Sequence, residues 1–226
     1  MPLITAMKSV DESRRQRIRI LLLDYHALFR ESAAHLLATE AGFEVVGCAT
    51  VDEAMAILHR KQIDIVLLNF YLREDNGLKF IRLAKDQGFK GKTLVVTAGI
   101  KDREAAEMIY LGISGIFMKH NSHALLAQAI RGVIAGKVWF DQQLFESAMK
   151  ITPKPFSQPR NARFTERQRQ VVSYVLKGMS NCEIAVRIGV SESTVKATLQ
   201  QLFSKTGVHT RSQLVRITLE QYKNQL

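Results

Sequence analysis

Between residues 18 and 140 the chain alternates five times between a short apolar run and an amphipathic segment. The runs are "IRILLLD", "FEVVGCA", "IDIVLLN", "KTLVVTAG" and "GIFMK". A strand that is apolar on both faces must be covered on both faces, and a parallel sheet flanked by helices achieves that. The intervening segments supply the helices. "ALFRESAAHLLATE" places Leu28, Ser32, His35 and Leu36 at helical spacing, and "VDEAMAILHRK" offers Asp52 as its N-cap. "LKFIRLAKDQG" closes on Gly88, "DREAAEMIYLG" runs from a capping Asp102 to Gly112, and "SHALLAQAIRGVIAG" starts at Ser122. Five strand–helix units predict an α/β doubly wound, five-stranded parallel sheet over residues 18–140.

The texture then changes. "MKITPKPFSQPRNAR" holds three of the four prolines of the chain and has no periodicity, so residues 141–161 read as an extended linker. Beyond it, "TERQRQVVSYVLKG", "SNCEIAVRIG", "SESTVKATLQQLFSKTG" and "RSQLVRITLEQY" read as four helices, with Ser180 or Asn181 capping the second and Ser191 the third. Residues 162–226 therefore form an all-α module. Residues 1–17 read as a basic, disordered N-terminal arm.

Charge separates these parts. The net charge is +11, and residues 162–226 alone carry 10 basic and 4 acidic side chains. A small basic module is the footprint of a polyanion partner, although a solubilising surface has the same composition. Two cysteines, Cys48 and Cys182, are too few for a disulfide framework or a zinc cluster. The six histidines show no metal-ligand spacing, and no nucleophile–base set is present, so neither metal, cofactor nor enzymatic activity is expected. No apolar run approaches the ~20 residues of a membrane span, which points to a cytoplasmic protein with no membrane partner.

Within the basic module, "SNCEIAVRIGVSESTVKATLQQLFSK" places a short helix, a "GVS" turn and a longer helix in succession. Ala185, Gly189 and Val195 stand where two crossing helices come close. This is a helix-turn-helix pattern, whose second helix enters the major groove. Its outer face offers Thr194, Lys196, Ala197, Gln200 and Gln201. Lysine and threonine hold phosphates, glutamine bonds adenine edges, and alanine meets a thymine methyl.

The stretch from Phe164 to Leu214 resembles the LuxR-type helix-turn-helix of NarL/FixJ response regulators. Ser180, Asn181, Glu183, Ala185, Ser191, Thr194, Lys196, Lys205 and Arg211 are among the matching positions. The resemblance implies double-stranded DNA as partner. Its contact set is Ser180, Asn181, Ser191, Thr194, Lys196, Ala197, Gln200, Gln201, Lys205 and Arg211. It further implies a homodimer, with the helix near 211–223 a frequent dimerisation element, and admits RNA polymerase as a partner. Gln168 and Gln170 replace residues that are usually acidic in the family, which removes negative charge facing phosphates.

The first domain is similar to the receiver of the same family, in "ILLLDYHALFRE", "NFYLREDNGL", "VVTAG" and "FMKH". A working receiver holds magnesium with two acids and a phosphoacceptor aspartate, and a hydroxyl and a lysine hold the transferred phosphoryl group. Here Asp24 is the first acid, but Tyr25 follows it. The phosphoacceptor position is Asn69, Thr97 and Lys119 match the hydroxyl and the lysine, and Ile116 stands at the aromatic switch position. A carboxamide is a far weaker nucleophile than a carboxylate and carries no net charge. The expectation is a static polar cluster of Asp24, Asn69, Thr97 and Lys119, in a receiver that acts without aspartyl phosphorylation and dimerises through helices near 28–40 and 122–135. Control by phosphorylation elsewhere, by a ligand or partner near Tyr25 and Tyr71, or a role as a protein-interaction adaptor that does not bind DNA are the alternatives.

Overall fold

The computed structural model describes residues 17–73, 75–151 and 164–222. The expected basic arm over 1–17 lies almost wholly outside them, as does most of the proline-bearing stretch. Five parallel strands, β1 (Ile18–Leu23), β2 (Phe43–Cys48), β3 (Ile65–Leu68), β4 (Lys92–Thr97) and β5 (Gly115–Met118), form one sheet in the order β2-β1-β3-β4-β5. Five helices follow the strands: α1 (Ala27–Thr39), α2 (Val51–Arg60), α3 (Gly77–Asp86), α4 (Asp102–Leu111) and α5 (His123–Ile134).

Strand alternation divides the core in two. Leu21, Leu23, Val66 and Leu68 face α2, α3 and α4, where Met55, Phe80 and Met108 are buried. Ile20, Leu22, Ile65 and Leu67 face α1 and α5, where Leu37, Ile130 and Val133 are buried. The strand runs are continuous because both faces are covered.

Three local expectations are corrected. Thr50, not Asp52, caps α2: its hydroxyl accepts from the Glu53 N–H at 3.2 Å, which leaves Asp52 in the first turn beside the positive helix end. Lys101, not Asp102, precedes α4, and its N–H donates to the Glu104 carboxylate at 3.0 Å. The segment expected to link the domains begins as a helix, α6 (Gln142–Lys150), capped by Asp141. Leu144, Phe145 and Met149 pack against the receiver core, with Ala148 inside it, so this turn belongs physically to the first domain. Leu28, Ser32, His35 and Leu36 do share a face of α1, but that face points to solvent; Ala33 and Leu37 are the buried residues.

The C-terminal module consists of α7 (Glu166–Leu176), α8 (Asn181–Ile188), α9 (Glu192–Thr206) and α10 (Arg211–Ile217), and the last continues into a π-helical turn, Thr218–Tyr222. Reciprocal capping boxes start α7 (Thr165 and Gln168), α8 (Ser180 and Glu183) and α10 (Thr210 and Gln213), and Ser191 caps α9. Gly189 closes α8 at φ 69°, a left-handed turn that a side chain rarely adopts. It reverses the chain so that Ala185 of α8 and Val195 of α9 meet in the core, together with Val171, Leu202 and Leu214.

Candidate functional site

The sheet register delivers the polar residues of the first domain to one edge. Leu23 pairs with Leu68, and the next residues, Asp24 and Asn69, leave their strands side by side. The Asn69 N–H donates to the Leu23 carbonyl at 2.8 Å, and the Lys119 N–H to the Thr97 carbonyl at 2.8 Å. Asp24 is buried with 1% exposure. One carboxylate oxygen, Oδ2, takes the Lys119 ammonium at 2.5 Å. The other, Oδ1, accepts from Asn69 Nδ2 at 3.2 Å and from the His26 N–H at 2.9 Å, with His26 Nδ1 at 3.0 Å. Asn69 spends its second amide hydrogen on the Tyr71 carbonyl at 2.8 Å.

Asp24, Asn69 and Lys119 are thus joined as expected, and Thr97 is not. Its hydroxyl donates to the Gly99 carbonyl at 2.7 Å, within its own turn. Three further participants escaped sequence reasoning. His26 closes a turn onto Asp24, Arg30 donates to the Asp24 carbonyl at 2.8 Å, and the Phe29 ring lies 3.9 Å from the Lys119 ammonium. All three follow within six residues of Asp24, in the turn after β1 and the first turn of α1, and that closeness in sequence is the signal that would have found them. Tyr25 leans outward against the His26 ring, Tyr71 donates to Glu104 at 2.9 Å, and Ile116 is buried in the sheet.

Magnesium does not fit this residue set. A receiver ion needs several anionic oxygens. Here a single carboxylate remains, both of its oxygens already accept hydrogen bonds or an ion pair, and Tyr25 supplies no ligand where the second acid would stand. Among the described residues no group of three acids, histidines or cysteines is placed to hold a metal.

In the second domain, α9 presents Ser193, Lys196, Ala197, Gln200 and Gln201 to the outside. Lys196 pairs with Glu192 one turn earlier at 2.8 Å. Ser191 and Thr194 share a hydroxyl contact at 2.8 Å at the head of the helix. Lys205 is held by Gln168 Oε1 at 2.9 Å, and Gln168 is itself buried. Ser180 is buried as a cap, and Asn181 Oδ1 accepts from Arg211 at 3.1 Å. The predicted contact residues therefore fall into two groups. Those on α9 share an open face, while Ser180, Asn181 and Arg211 sit at a separate junction.

Two family models cover this chain: a response regulator receiver domain over residues 20–131, and the luxR family of bacterial regulatory proteins over residues 162–218. The chain is a LuxR-type response regulator. It is 27% identical to the transcriptional regulatory protein YdfI of Bacillus subtilis over 204 residues, 89% of this chain and 95% of YdfI. It is 28% identical to the DNA-binding transcriptional activator DevR/DosR of Mycobacterium tuberculosis, over 87% of this chain and 91% of that protein. RcsB from Salmonella enterica serovar Typhimurium shares the fold, with a TM-score of 0.55 at 18% identity over 88% of this chain and 97% of RcsB. The response regulator is accordingly a DNA-binding transcriptional regulator, and no helix among its described residues is long and apolar enough to cross a membrane.

In this response regulator the two domains touch. Ser212 Oγ donates to the Ile113 carbonyl at 2.6 Å, and Gln213 Nε2 to the Tyr110 carbonyl at 2.6 Å. The Asn181 N–H donates to the Ala135 carbonyl at 3.3 Å, and Lys137 pairs with Glu183 at 3.0 Å. Gly112 and Gly136 permit this approach: a Cβ on either would lie 2.8–2.9 Å from Thr210 or Asn181. Every residue of α10 after Arg211 is buried, against α4 and its own domain, while Leu219 and Glu220 further along the segment expected to dimerise are exposed. Burial pulls the Arg211 guanidinium down to about 10. The Ser180 N–H, followed by Lys137, holds Glu183 at about 2.

Proposed function

We propose that this regulator binds specific duplex DNA as a dimer and does so independently of aspartyl phosphorylation. The observation that carries the reading is the saturated Asp24 carboxylate, fixed by Lys119, Asn69 and His26, beside an amide where a phosphoacceptor carboxylate would stand. Neither a nucleophile nor a metal seat is left to sense a phosphoryl donor. The cluster instead braces the ends of β1, β3 and β5 against one another. The protein carries out no chemistry of its own.

DNA reading is assigned to Thr194, Lys196, Ala197, Gln200 and Gln201 of α9, with Ser191 and Lys205 on phosphates. Ser180, Asn181 and Arg211 complete the set once the domains part, because the receiver's Ala135 carbonyl holds the Asn181 N–H and Asn181 in turn holds Arg211. The outward face of α1, with Leu28 81% exposed and Leu36 also exposed, supports a receiver–receiver dimer. Such a dimer sets two reading helices about 34 Å apart, one DNA turn. RNA polymerase is the partner through which DNA binding would act on transcription.

The test is DNA affinity over a salt series, with and without acetyl phosphate and magnesium. The reading predicts a steep fall in affinity with salt and superimposable curves in the two conditions. A salt-insensitive constant would favour the adaptor alternative. A shift on adding acetyl phosphate would favour control by phosphorylation.

A further inference from the structure

The docked domains enclose a cleft of about 800 Å3. Its walls carry Lys85, Lys90 and Lys92 from the receiver, Lys137 from the segment after α5, and Lys196 and Arg211 from the DNA-binding domain. Among the described residues no carboxylate lines it. Lys137 and Lys196 have carboxylate partners outside the cleft, Glu183 and Glu192. No ion pair joins Lys85, Lys90 or Lys92 to any described carboxylate. Phe89 and Phe203 add aromatic surface to the same walls.

Lys85, Lys90, Lys92 and Lys196 are exposed to solvent along this cleft, and their like charges give it a positive potential that favours an anion. The Lys92 ammonium is held below its usual range first by desolvation and then by Arg211 across the cleft. Arg211 Nε is buried without a hydrogen-bond partner. The volume lies within the range of small-molecule sites, and lysine and arginine are the usual holders of phosphate groups.

We propose that the cleft is a binding site for a small polyphosphate anion of the nucleotide class, its phosphates held by Lys90, Lys92 and Arg211 and its ring against Phe89 or Phe203. An anion there would join cations from both domains and hold them docked. Lys196 and Gln200, which line the same cleft, would then be withheld from DNA. This last consequence, but not the binding itself, rests on the DNA-reading role assigned above.

Binding is tested without DNA, by calorimetric titration of the full chain with inorganic pyrophosphate, triphosphate and ATP against sodium chloride of matched ionic strength. The proposal expects saturable binding of one anion per chain, with ATP tighter than triphosphate. Lys90→Glu and Lys92→Gln, made separately and checked for folding by circular dichroism, should each weaken pyrophosphate binding about tenfold or more. Arg103→Glu, an exposed charge change on α4 away from the cleft, should leave it unchanged. Heats no larger than the salt control, or equal binding by Arg103→Glu and the two cleft variants, would overturn the site. Equal affinity for ATP and triphosphate would overturn the nucleotide assignment. A parallel DNA titration separates the two readings: pyrophosphate should lower DNA affinity more than matched salt does. If it binds without that effect, the site stands and the competition falls.

Discussion

Asn69→Asp restores the carboxylate of a working receiver, and the structure predicts that it harms this one. The Asn69 amide nitrogen is a donor to Asp24 Oδ1 at 3.2 Å and to the Tyr71 carbonyl at 2.8 Å. An oxygen in its place faces two acceptors. Two unit negative charges 3.2 Å apart repel by about 5 kcal/mol at an effective dielectric of about 20. One ammonium, Lys119, serves both, and it is already committed to Asp24. The introduced carboxyl therefore keeps a proton in the folded chain to near neutral pH, whereas in the unfolded chain it loses it near pH 3.9. Holding that proton at pH 7, about three units above the free value, costs about 4 kcal/mol. The sign follows from the raised folded value. The variant matches the parent below about pH 3, where both states hold the proton, and loses stability as pH rises through about 4 toward 7. Urea denaturation at several pH values measures this directly. A variant as stable as the parent at pH 7, or one stabilised by millimolar magnesium, would refute the electrostatic reading of the pocket.

Other perturbations probe the remaining parts of the structure. Ser212→Ala removes the buried donor to the Ile113 carbonyl, which should weaken docking by about 1–3 kcal/mol and raise the extended population seen by small-angle scattering. Glu183, whose folded value lies near 2 against its usual 4.5, contributes stability above about pH 4.5 that is lost as pH falls toward 2. Glu183→Gln should flatten that acid limb in thermal denaturation. Leu28→Glu places a charge on a residue 81% exposed, so the folding stability of the monomer should change by less than about 0.5 kcal/mol, while sedimentation shows a dimer reduced to monomer.

The strands were legible because both faces are buried, which leaves unbroken apolar runs such as Ile65–Leu68. The pairing of Asp24 with Lys119 was legible for a related reason: residues just past parallel strand ends are neighbours whatever the loops do. Side-chain aim was not. Thr97 turns to Gly99, two residues away, a local bond that strand order does not determine. Which face of α1 is buried was not legible, because leucines occur on both sides of that helix and only packing selects Leu37 over Leu28. The short helix α6 stands next to prolines and holds its place through contacts with α4, which periodicity over nine residues cannot reveal. Docking joins Ser212 to Ile113, 99 residues apart, and no single-sequence pattern links such positions.

Intact mass spectrometry after incubation with acetyl phosphate and magnesium reads the pocket most directly. With Asp24 tied to Lys119 and an amide at residue 69, the unmodified mass is predicted to persist at all times. A stable gain of one phosphoryl group, mapped to the ends of β1, β3 or β4, would contradict the account.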